Sequence, residues 1–109
     1  MSHHKHLHMI PEHMWGAITL WIEKGIPPGS FLTAVLKNDL MEAFQRADDT
    51  NTAFMRNWCA FLYSHAPSAC KGSPEAFRAW AAHQGLEGID RLRAASEEDP
   101  VGGLAGGVM

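Results

Sequence analysis

The sequence predicts an all-α fold, a compact bundle of four to five short helices with flexible termini. Three observations carry that expectation. Apolar residues recur at intervals of three and four along most of the chain, and no alternating run is long enough for a strand. Clusters of Gly, Pro, Ser and Asp cut the pattern into pieces of helix length. With 109 residues, 46% of them hydrophobic, the chain can fill one modest core and not two.

Each element has its own start and stop. Residues 1–9, M-S-H-H-K-H-L-H-M, have no period and hold four of the seven histidines, so they read as a flexible arm or the remains of an affinity tag. Pro11 suits a first helical turn, and Met14, Trp15, Ile18, Trp21 and Ile22 then share a face, giving a helix over 11–24. Gly25 stops it, Pro27-Pro28-Gly29 makes a tight turn, and Ser30 is placed to cap the next helix, forming an αα hairpin. Leu32, Val35, Leu36, Leu40, Ala43, Phe44 and Ala47 hold one stripe without a phase break, which favours a single helix from Ser30 to about Ala47; Asn38-Asp39 is where it can split.

Asp48-Asp49-Thr50-Asn51 ends that helix and offers caps for a third, with Phe54, Trp58, Phe61, Leu62 and His65 on one face and Pro67 closing it. In Gly72-Ser73-Pro74-Glu75 the serine caps, the proline takes the first helical position and the acid complements the positive helix end. Phe77, Trp80, Ala81 and Gln84 follow on one face, and Gly85 is the stop. Leu86, Ile89 and Leu92 predict a short fifth helix. The helical domain therefore spans 10–96, and the acidic, then Gly-rich, segment 97–109 is expected to be disordered.

Composition excludes several functions. A formal net charge of −3 with nine Lys and Arg, none clustered outside the His-rich start, leaves no phosphate-neutralising surface and disfavours nucleic acid as a partner. No run of about 18 apolar residues is present, so no membrane association is expected. Cys59 and Cys70 match no metal or redox spacing, in keeping with a reduced, cytoplasmic protein.

The candidate ligand-binding residues are Ser30, Asp39, Arg46, Ser73, Trp15 and Trp21. At 100° per residue Asp39 projects between Leu32 and Val35 on the apolar face, Arg46 falls two turns on at nearly the same angle, and Glu42 flanks them. A carboxylate there needs a partner: Arg46 within the fold, a neighbouring subunit, or a ligand. Ser30 and Ser73 each follow a glycine at a helix start, where free N–H groups can receive an anion, although both can simply cap their own helices. The four Trp, Trp15, Trp21, Trp58 and Trp80, are core candidates in number sufficient that one left exposed would mark an interface or a stacking platform. Cys70, near a helix start, is a weak candidate for a lowered thiol pKa, and His65 for proton transfer with Asp39. His3, His4, His6 and His8 can bind Cu(II) or Ni(II), as unstructured histidine runs do incidentally, and no metal site is assigned to them. No catalytic constellation and no cofactor signature is present, so the chain is not expected to be an enzyme.

Several strings together resemble one group of proteins: His13-Met14, Ala17-Ile18 and Trp21-Ile22-Glu23, then I-P-P-G-S-F-L-T-A-V-L-K-N-D-L at 26–40, Arg46-Ala47-Asp48, and C-K-G-S-P-E at 70–75. They are similar to small uncharacterised proteins encoded by bacteriophages and prophages, over roughly residues 10–82. That resemblance implies an accessory protein of viral origin, working in the host cytoplasm. Such proteins commonly inhibit or sequester host factors, including defence proteins and nucleotide signals. The expected function is thus binding, to a host protein or to a small anionic ligand such as a nucleotide, by a homo-oligomer. The alternative is a small helix-turn-helix transcription regulator, for which neither candidate recognition helix is basic.

Overall fold

A computed structural model of the chain describes residues 3–98. Within them the all-α expectation holds, with more and shorter pieces than four to five helices: seven α-helices and three 3-10 segments, and no strand among the described residues. The helices are α1 (Trp15–Lys24), α2 (Ser30–Leu36), α3 (Leu40–Arg46), α4 (Asp49–Ala53), α5 (Met55–His65), α6 (Pro74–Ala82) and α7 (Gly85–Glu98). The 3-10 segments cover His3–Met9, Glu12–Met14 and Ser68–Cys70. The tail expected to be disordered lies outside the described residues from position 99 onward.

The single helix expected over 30–47 is two. Asn38 adopts the left-handed conformation with φ 65°, the N–H of Asp39 donates to Ala34 O at 2.9 Å, and the N–H of Asn38 donates to Val35 O at 3.0 Å. These are the paired bonds of a Schellman stop, with Asn in the place glycine usually takes. Asp39 then caps α3, its carboxylate accepting the Glu42 N–H at 3.2 Å. A continuous helix would have driven this carboxylate toward the core; the break turns it out to solvent and uses it to satisfy a helix start. The third expected helix is also divided, at Phe54, into α4 and α5. Ser73, Pro74 and Glu75 act as their types predict: Ser73 Oγ accepts the Ala76 N–H at 3.0 Å and Pro74 opens α6.

α1, α2, α5 and α6 build the core around three fully buried indoles, Trp21, Trp58 and Trp80. Each indole N–H has an acceptor. Trp21 Nε1 donates to Cys70 O at 3.1 Å, Trp80 Nε1 to Trp21 O at 2.8 Å, and Trp58 Nε1 to Asn51 Oδ1 at 3.0 Å. Trp21 stacks on Phe77 at 4.4 Å between ring centroids, and Phe31 meets Trp58 edge-on at 5.9 Å. With their polar atoms satisfied, these large side chains contribute burial without the cost of an orphaned donor.

α7 packs along α1 and is longer than the short fifth helix expected. The expected stop at Gly85 is instead its first residue, and the chain reverses through Gln84 and Gly85, both left-handed at φ 67° and 66°. A Cβ on Gly85 would lie 2.6 Å from Gly25 N, and one on Gly25 would lie 2.8 Å from Gly85 N, so two glycines set the approach of the ends of α1 and α7. The His-rich start, left out of the core by its lack of period, lies as a 3-10 segment against α5, with His6 stacked on His65 at 3.5 Å.

Candidate functional site

The break at Asn38-Asp39 decides how α3 sits. Of its apolar side chains only Ala43 is buried, while Leu40 is 62% and Met41 77% exposed and Phe44 also faces water. Leu40 and Ala43 border a hollow of about 70 Å³ whose other walls are Val35, Met55 and Cys59, with Asn38 and Asp39 at its rim. A second hollow of about 250 Å³ shares Val35, Asn38 and Cys59 and extends to Leu62, Tyr63 and Lys71. Together they form an apolar groove between α2–α3 and α5, ending at Tyr63, which is 86% exposed. Single exposed apolar residues are ordinary on a surface; Leu40, Met41 and Phe44 on one short helix beside an apolar groove are a patch.

Charge around α3 has one dominant sign, whereas the far end of the groove carries Lys71. Residues 39–49 contain Asp39, Glu42, Asp48 and Asp49 against the single base Arg46. Arg46 is held by Glu42 at 2.6 Å, one turn back on α3, and the Glu42 carboxylate raises its already high pKa. Asp48 caps α4 by accepting the Asn51 N–H at 2.7 Å. That bond chiefly, with help from His13 3.2 Å away, holds the Asp48 carboxyl below the usual carboxylate range.

The six candidate ligand residues do not form one site. Ser30 and Arg46 do line a common open cleft of about 240 Å³, with His13, Asp48 and Asn51. This is below the roughly 300–1,000 Å³ of usual ligand pockets, and an acid sits within it. Ser30 is the first residue of α2 rather than its cap, which is Gly29. Asp39 faces solvent as the cap of α3 and Arg46 pairs with Glu42 instead, so the expected buried seam is an exposed i,i+4 ion pair. Ser73 is engaged in capping α6. Trp21 is wholly buried and cannot stack on a ligand, and partly buried Trp15 donates its indole N–H to Ile10 O at 3.0 Å.

Two further candidates change character. Burial pushes the Cys70 thiol up to about 11, the opposite of the lowered value a helix start can give, so it is no nucleophile at neutral pH. His65 stacks on His6 and lies beside Phe61, on α5, whereas Asp39 is engaged at the start of α3. The groove residues Cys59 and Tyr63 and the neighbouring exposed Met41 are not marked as surface anchors by the sequence, because the stripe through Leu40 and Phe44 gives no sign of which helix turns it outward.

Comparisons with protein-family models, with curated proteins and with solved structures find no match to this chain.

Proposed function

We propose that the chain is an accessory protein of the bacteriophage kind that acts by binding a host protein, and that the groove beside α3 is its binding face. The observation that carries this is the exposure of Leu40, Met41 and Phe44 next to the apolar groove of Val35, Met55 and Cys59. A groove of this form suits an amphipathic helix laid along it, with apolar anchors entering between α3 and α5. The acidic character of residues 39–49 favours a basic helix and opposes a second copy, which would present the same sign. The grounds from sequence for an oligomer lose force: three of the four indoles are buried in the chain's own core and the Glu42–Arg46 pair is exposed.

A nucleotide or another small anion is the less favoured ligand, since Ser30 and Arg46 meet in a cleft that also holds Asp48, and Arg46 is already paired. A helix-turn-helix regulator is less favoured still, because Arg78 and Arg93 lie near Glu75 and Asp90 on their own helices and no described helix offers a basic face.

The test uses a basic amphipathic peptide helix as probe, followed by alkylation of Cys59 in the groove wall. Bound peptide should protect Cys59, and Met41→Asp should abolish both binding and protection while leaving circular dichroism unchanged. Peptide binding that Met41→Asp leaves intact, or no binding to either protein, overturns the proposed face; a native dimer mass lost in Met41→Asp would assign the face to a second copy instead.

A further inference from the structure

We propose that His3, His4 and Glu23 form a binding site for a divalent transition-metal cation of the zinc class, joining the start of the chain to α1. Sequence places Glu23 nineteen to twenty positions from His3 and His4 and gives no reason to combine it with them; the 3-10 turn at His3–Met9 and the last turn of α1 bring them together. One ligand atom from each, two imidazole nitrogens and a carboxylate oxygen, lie within 4.8 Å of one another. His4 Nε2 is 2.6 Å and His3 Nε2 3.9 Å from the same oxygen, Glu23 Oε2.

His3 is the informative member. Its side chain is only 4% exposed, yet its Nε2 has no hydrogen-bond partner among the described residues. An imidazole nitrogen so placed is costly unless something occupies the space before it. A cation does so. Two histidines and one carboxylate are a recurrent zinc donor set that leaves a fourth position open to water, and exposed His4 beside partly buried Glu23 provides that opening. Tetrahedral zinc, with bonds near 2.0–2.2 Å, holds its ligand atoms about 3.4 Å apart. The observed 2.6 and 3.9 Å bracket this value, so side-chain adjustments of about an ångström suffice. Glu23 also lies in the last turn of α1, whose carbonyl end favours a positive charge.

Calorimetric titration of the full chain with zinc chloride should give one equivalent bound. Glu23→Gln, which alters a ligand itself, should weaken binding by at least about tenfold, the lower end of the 10–100-fold that even outer-sphere changes cost. His4→Ala should do the same, and His8→Ala should leave affinity unchanged. Because Glu23 is only partly buried and Gln matches its size, Glu23→Gln should keep the wild-type circular dichroism spectrum, so the comparison does not depend on removing buried His3. Equal affinity in wild type and Glu23→Gln would assign binding to the amino-terminal histidine run alone and overturn the site, as would no binding to the wild type, or a loss in His8→Ala as large as that in Glu23→Gln.

Discussion

Asn51 shows how one polar residue can govern an apolar core. It is 97% buried by its 3% residual exposure, sits in the first turn of α4, and its Oδ1 is the acceptor for the Trp58 indole. Asn51→Ala leaves that N–H buried without a partner, and a loss of about 1–3 kcal/mol is expected in urea unfolding, with little change in the folded spectrum. The cysteines give a second residue-scale prediction. Cys59 is exposed in the groove, whereas Cys70 is buried and its thiol is pushed up to about 11, so it stays protonated at pH 8. One thiol should react rapidly with iodoacetamide in the native protein and two after denaturation; rapid modification of both would contradict the packing around Trp21.

At the scale of elements, the stop between α2 and α3 is the decisive feature, and it is made by Asn38. An alanine there must hold φ 65° without the side-chain tolerance of asparagine, a strain of roughly 1–2 kcal/mol, while glycine has no such cost. Asn38→Ala should therefore lower the thermal midpoint and Asn38→Gly should preserve or raise it. Equal effects of the two would mean that the left-handed turn is not what joins these helices. The periodicity that favours a continuous helix is real, since Leu32, Leu36 and Ala43 are buried, but the short interruption at Lys37, Asn38 and Asp39 costs little phase and leaves the run of apolar positions looking unbroken. At the other end of the chain, Gln84 and Gly85 produce a comparable reversal, fixed by the close passage of Gly25 and Gly85.

For the whole molecule, the balance of inside and outside bears on function. Three of the four tryptophans are consumed by the core, while α3 leaves leucine, methionine and phenylalanine to solvent. If this face binds a basic helix, affinity should fall as salt rises and recover little on removal of Arg46, because Arg46 is tied to Glu42. Arg46→Ala is thus expected to bind the peptide at least as well as wild type, which equilibrium titration by fluorescence can measure; a large loss would place the contact at the Ser30–Arg46 cleft.

Sequence by itself determined the helical class, the end of α1 and the start of α6, the caps at Ser73 and Asp48, and most of the core, because capping and 3.6-residue periodicity are local properties that each segment carries with it. Tertiary structure alone decided the rest. Whether Asp39 is buried or capping, whether Leu40 and Phe44 face the core or water, and whether His3 meets Glu23 all depend on the direction in which one helix leaves another. That direction is set by a few backbone angles at Asn38, Gln84 and Gly85 and by contacts between residues far apart in the chain, and no periodicity within a segment records it.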